Sequence, residues 1–276
     1  MQLAYTAHDL QAYSGGRFIL GLGSQIKPHI ERRFSMPWSH PAPRMREFIM
    51  AMRAIWSAWN DGAKLSFRGD FYTHTLMTPF FSPPPAPGGA PEVFLAAVGE
   101  AMTAVAGEVA DGLLVHAFST ERYLREVTLP ALSRGLAAAG RSPADVEVSM
   151  LLMIATGDTE EEMARAAADT RHQIAFYGST PAYRGVLDRH GWAGLGDELN
   201  SLSRSDRADK WEAMGALVDD DVLHAFAVVA EPADVAAEIQ RRFGGLIDRV
   251  SFYSAYETGT ETWDLILRGL KSQADS

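Results

Sequence analysis

The sequence predicts an α/β fold in which a parallel sheet is covered by helices. Two observations carry this. Apolar runs alternate with segments of helical period along most of the 276 residues. The runs, Val93 to Val98 and Met150 to Ala155 among them, are continuous rather than alternating, as expected of strands buried on both faces.

The elements follow in order. Leu3, Ala7 and Leu10 repeat at helical spacing until Ser14-Gly15-Gly16 stops the helix. Residues 17–21 form a short apolar strand. A helix bearing Met45, Phe48, Ile49, Met52, Ile55 and Trp56 comes next. The proline-rich run 79–91 fits neither helix nor central strand, and it leads into a strand at 92–97. Gly99 and Glu100 open a helix through Val109, and Asp111-Gly112 turns the chain into a strand at 113–116. A helix over about 120–139 ends at Gly140. A strand at 147–155 precedes a helix capped by Asp158 or Thr159. After a less regular stretch, Glu231-Pro232 starts a helix to Phe243. The last strand is 248–253, and the last helix is 263–270.

Composition narrows the function. The apolar fraction of 47% and charged fraction of 22% are those of a globular chain with a sizeable core. With 35 acidic and 25 basic residues the formal charge is −10, which disfavours nucleic acid and anionic lipid as general partners. The chain has no cysteine, which excludes disulfides, thiolate catalysis and cysteine-ligated metal; a cytoplasmic location is the expectation. No apolar run is long enough to span a membrane. The Walker, Gly-x-Ser-x-Gly, His-Glu-x-x-His and EF-hand patterns are also absent.

The order of motifs resembles the bacterial luciferase-like superfamily, especially its branch using the deazaflavin coenzyme F420. The segment from Ser14 to Gly23 resembles the fourth strand of that family's barrel and its Gly-x-Gly loop. Phe67 to Tyr72 resembles its hairpin. Val93 to Gly99, followed by Ala106 to Gly112, resembles the fifth strand, a phosphate-binding helix and the turn into the sixth strand. Thr156 to Glu162 follows the seventh strand, and Ile247 to Val250 opens the eighth. The resemblance implies a partial (β/α)8 TIM barrel, about strands 4 to 8, with an insertion before the last strand. The whole of 1–276 is then one barrel domain lacking its first βα units, and 177–211 is an insertion or lid. At roughly 30 residues per unit, about 90 residues would precede this chain. Open sheet edges would make the chain alone marginal or prone to aggregate.

Functional groups of such barrels sit on loops after the C-terminal strand ends. The resemblance implies cofactor contacts at Gly21, Gly23 and Lys27, at Val98, Gly99 and Glu100, and at His116 and Ala117. Glycine permits close backbone approach, Lys27 offers a positive charge, and a helix start at Gly99 favours a phosphate. Tyr177, Arg184 and Trp192 are the candidate substrate contacts. Ordinary readings stand beside each: a tight turn with a solvated lysine, a plain βα turn, a hydrogen-bonded structural histidine, and aromatic packing or an interface. No catalytic residue and no metal ligand is assigned. The implied function is an oxidoreductase passing a hydride between coenzyme F420 and a small organic substrate, as a homodimer. The alternatives are an FMN-dependent monooxygenase of the same superfamily, or a non-catalytic flavin-binding or partner subunit.

Overall fold

A computed structural model describes residues 1–274. The chain order begins α1 (Gln2–Tyr13), β1 (Ile19–Leu22), α2 (Pro41–Asn60), β2 (Phe67–Arg68), β3 (Thr73–His74), β4 (Glu92–Ala97), α3 (Glu100–Val109) and β5 (Gly112–Val115). It continues α4 (Glu121–Tyr123), α5 (Leu129–Ala139), β6 (Glu147–Ala155), α6 (Glu160–Gly178), α7 (Arg184–Arg189), α8 (Ala193–Ser203), α9 (Lys210–Ala216) and α10 (Asp220–Phe226). It ends β7 (Ala227–Val229), α11 (Val235–Phe243), β8 (Arg249–Tyr253) and α12 (Thr260–Ala274). Two compact units result. One is Met1–Leu114 with Thr128–Glu147, and the other is Val115–Val127 with the residues from Val148 onward.

In the first unit β1 runs parallel to β4, with Leu20 beside Val93 and Leu22 beside Leu95, and β5 lies next to β4. Val93, Phe94 and Leu95 are buried in succession, as the unbroken apolar run implies. The buried face of α2 is Ile49, Met52, Ile55, Trp56 and Trp59. Trp56 donates its indole N–H to the Ala4 carbonyl at 3.0 Å, so small residues on α1 let the two helices meet. Arg53 donates to the Val109 carbonyl and to Asp111, whose carboxylate also accepts the Val93 N–H. That network ties α2 to the turn between α3 and β5. The hairpin β2–β3 has only two residues a side and is held from outside. The Glu47 carboxylate accepts the N–H groups of Asp70, Phe71 and Tyr72 at 2.9, 2.7 and 2.5 Å.

In the second unit β6 pairs in parallel with both β7 and β8. Met153 to Ala155 lie beside Ala227 to Val229, and Ser149 to Met153 beside Arg249 to Tyr253. A cluster centred on Phe118, Met153, Ile174, Leu187, Met214 and Phe226 is the core of this unit. Thr159, not Asp158, caps α6, in a reciprocal box with Glu162. Arg242 is buried but bonded to the carbonyls of Ala225 and Ala227 at 2.8 and 2.7 Å.

Three differences from the sequence-based expectation have local causes. The helix expected over 120–139 contains a π-helical turn at Leu124–Thr128. Pro130 has no N–H to continue the i→i−4 ladder, so the backbone changes register just before it. The irregular stretch after α6 is made of short helices, α7 to α10, whose few turns give little periodicity to detect. The three-residue strand β7 follows α10 with no turn residue between them, so no local signal marks it.

Candidate functional site

Each unit places its own set of candidate groups. In the first, the parallel register of β1 and β4 sends the loops that follow them off the same end of the sheet. Gly23 ends up beside β4: a Cβ on it would lie 3.7 Å from the Ala96 side chain. A Cβ on Gly21 would lie 3.6 Å from Leu114, an ordinary contact. Gly99 precedes α3 in extended conformation, φ −82° and ψ 153°, and a Cβ there would meet no atom within 4 Å. The first intrahelical bond is Thr103 N–H to the Gly99 carbonyl, at 3.1 Å. The N–H groups ahead of it are those a helix leaves for an outside acceptor, and the dipole favours an anion there. Glu100, which would oppose an anion, is ion-paired with Arg134 of α5.

The loop after β1 behaves less simply. Lys27 pairs with Glu31 at 3.8 Å and is 63% exposed, so its charge is engaged on its own turn. Between Gly23 and Lys27, Gln25 adopts φ +59°, a left-handed conformation uncommon for a residue with a side chain. Sequence reasoning missed Gln25, since nothing in residue type marks it.

In the second unit, four polar aromatic groups converge near the ends of β5 and β8. The His116 ring stacks on Tyr183, with centroids 4.7 Å apart and planes at 28°, and meets Tyr177 edge-on at 4.8 Å. Tyr177 and Tyr253 share a hydroxyl–hydroxyl hydrogen bond of 2.9 Å. Phe118 donates its backbone N–H to His116 Nδ1 at 3.0 Å, which makes the neutral ring an Nε2–H tautomer. Nε2 lies 3.4 Å from the Tyr183 hydroxyl. Burial holds the His116 imidazole below its usual value. Burial, then the bonded Tyr253 hydroxyl, pushes the Tyr177 phenol well up, and burial also raises Tyr183. These shifts favour the uncharged forms of His116, Tyr177 and Tyr183, which then donate and accept hydrogen bonds as neutral groups. Ala117 is buried beside it.

The remaining substrate candidates are drawn into structure. Arg184 is ion-paired with Asp188 and Asp197 and donates to the Ala193 carbonyl at 2.7 Å. Trp192 stacks on His190 at 4.4 Å and 9°, and His190 Nε2 bonds Thr120 Oγ1 at 2.7 Å. Of the three, Tyr177 joins the cluster. Tyr253 belongs to it as well, and its position at the very end of a strand was the one signal available for it. No group of His, Asp and Glu side chains among the described residues is placed to hold a metal ion.

A mainly parallel α/β sheet whose candidate groups lie at strand ends defines a class of barrel-related enzymes. The luciferase-like monooxygenase profile matches residues 1–249, and the chain belongs to that family. The protein Rv1360 of Mycobacterium tuberculosis is 58% identical over 250 residues, which cover 91% of this chain and 73% of that protein. The 5,10-methylenetetrahydromethanopterin reductase of Archaeoglobus fulgidus is 29% identical over 232 residues, 82% of this chain and 64% of the reductase. The fold matches the coenzyme F420-dependent tetrahydromethanopterin reductase of Methanopyrus kandleri with a TM-score of 0.77 at 20% identity, over 99% of this chain and 78% of that one. It also matches the EDTA monooxygenase of Chelativorans with a TM-score of 0.69 at 15% identity, over 99% of this chain and 71% of that one. Among the described residues no helix is long and apolar enough to cross a membrane.

Proposed function

We propose that the chain is a coenzyme F420-dependent oxidoreductase acting on a small organic substrate. The observation that carries this reading is the start of α3, where Gly99 opens onto free space at the end of β4, next to the glycine loop after β1. These residues fit a phosphate-bearing tail. Backbone N–H groups point outward, no side chain fills the space beside Gly99, and the one adjacent carboxylate is neutralised by Arg134. The backbone at Gly99 and Glu100 would hold the phosphate, with Val98 lining the bed and Gly21 and Gly23 giving backbone approach. Lys27 would serve only by leaving Glu31.

When bound, the deazaflavin supplies the hydride-transfer chemistry. The protein's part is orientation, exclusion of water and the handling of protons. In the second unit His116, with Ala117 beside it, is assigned to the ligand side. Its Nε2–H, held in a long 3.4 Å contact with the Tyr183 hydroxyl, would turn to a substrate oxygen, and the Phe118 N–H keeps that tautomer in place. Tyr183 holds the ring flat, and the Tyr177–Tyr253 pair offers an uncharged hydroxyl. Arg184 and Trp192 brace the 177–211 segment, which would cover the substrate. Further support comes from relatives named for F420, including an F420-dependent glucose-6-phosphate dehydrogenase of Nakamurella multipartita, 28% identical over 185 residues.

An FMN-dependent monooxygenase is the second reading, favoured by the likeness to monooxygenase structures and by a phosphate bed that would also suit FMN. A fluorescence titration of the purified chain with coenzyme F420, and with FMN in parallel, tests both. Tighter saturable binding of the deazaflavin, weakened by Gly99→Val, is the expected result. Preference for FMN moves the assignment to the second reading. Binding of neither by a folded chain rejects both and favours a non-catalytic subunit.

A further inference from the structure

We propose that a groove in the second unit, between α6 and α9, binds an organic cation: an ammonium group carried on a compact apolar body. The groove has a volume of about 590 Å³, within the range of small-molecule sites. Phe176 and Trp211 form its aromatic wall. Both are large side chains left about half exposed, at 48% and 47%. Their rings lie 5.9 Å apart at 46°, an open wedge rather than a closed stack. Asp169, His172, Gln173, Glu212 and Ala255 complete the lining.

The two helices meet where a side chain of α6 packs directly on a glycine of α9. The His172 ring lies so close to Gly215 that any side chain at that position would collide with it. The aromatic wedge is therefore set by the helix pair rather than by a mobile loop.

Charge selects the occupant. The lining contains two carboxylates and no lysine or arginine. No hydrogen bond or ion pair joins Asp169 or Glu212 to another group among the described residues, whereas two cations near the groove, Arg171 and Lys210, are engaged elsewhere. Arg171 is bonded to the Val218 carbonyl and paired with Asp220. Lys210, 5.8 Å from the Trp211 ring, donates to the carbonyls of Ser203 and Ser205 at 3.2 Å each. Aromatic faces attract a cation through their quadrupole, and unpaired carboxylates beside them add a longer-range attraction. An anion would meet repulsion from both carboxylates. A neutral aromatic compound would use the wedge but gain nothing from Asp169 and Glu212. An ammonium with methyl or methylene groups uses both.

The test is a calorimetric titration of the full chain with choline, and with the uncharged isostere in which a tert-butyl group replaces trimethylammonium. Saturable binding of choline, roughly tenfold tighter than that of the isostere, is expected. Trp211→Leu should weaken choline binding by about tenfold, and Phe176→Leu should act in the same direction if the first variant fails to fold. The double change Asp169→Asn with Glu212→Gln should bring choline down to the level of the isostere. Equal binding of the two compounds, no saturation through the millimolar range, or binding that every variant leaves intact overturns the proposal. No coenzyme is present in this titration, so its outcome is independent of the cofactor assignment.

Discussion

At the scale of single residues, His116 is the group whose surroundings say most. A neutral Nε2–H imidazole packed between two phenols resists protonation, and the sign of the consequence follows. A histidine whose folded pKa lies below its unfolded value of about 6.5 stabilises the fold fully above that value. The contribution is lost as pH falls from there toward the depressed folded value. His190, lowered first by burial and then by Arg122, acts in the same window. Urea unfolding at pH 7.5 and 5.5 should therefore show a loss of stability at the lower pH. His116→Gln should shrink that loss without abolishing it, leaving the share of His190. A pH dependence unchanged in the variant would mean that the buried imidazole does not govern it. His116 was legible in the sequence as a residue at a strand end. Its surroundings were less so: Tyr183, which stacks on it, and Tyr253, which bonds its other neighbour Tyr177, come from distant segments that only the fold joins. Arg184 shows the opposite limit, because its type promised a ligand contact while its nearest acidic neighbours claimed the charge.

At the scale of elements, the crossing of α3 and α5 is the sharpest constraint in the first unit. Gly107 and Gly135 face each other's helices so closely that a Cβ on Gly135 would collide with the Ala104 carbonyl, and one on Gly107 with that of Leu132. The start of α3 is the proposed phosphate bed, so this crossing also supports the site. Gly135→Ala should cost about 3 kcal/mol, because backbone cannot give way as a side chain can. Gly140→Ala, at the left-handed end of α5 with open space around it, should cost only about 1 kcal/mol. Thermal midpoints of the two variants compare them, and equal shifts would show that the helices adjust. Most strands and the longer helices could be read from the sequence, because period and apolar runs are local properties. The tight helix crossing could not. A glycine inside a helix looks the same whether it faces solvent or another backbone, and α7 to α10 are too short to display a period.

At the scale of the whole molecule, the acidic balance and a strand edge set behaviour in solution. Among the described residues β1 pairs on one side only, with β4. An edge with free N–H and C=O groups invites pairing with another chain. Sedimentation velocity should show association that rises with protein concentration, and Leu20→Lys on β1 should disrupt it only if the fold survives a charge at a buried position. Leu22→Lys, half-buried, is the gentler variant. A concentration-independent monomer would show that this edge is already protected. The proline-rich run has a different consequence. Its carbonyls and N–H groups are gripped in sequence: Phe81 by Tyr5, Pro84 by His8 and Ala86 by Asn60, while Gly88 abuts Gly16 beside the Gln11 side chain. What looks like a tether is thus a clasp, fastened at successive points to α1 and α2. A circular permutation or an inserted tag would be tolerated poorly there, and a designer seeking a place to open this chain should look elsewhere.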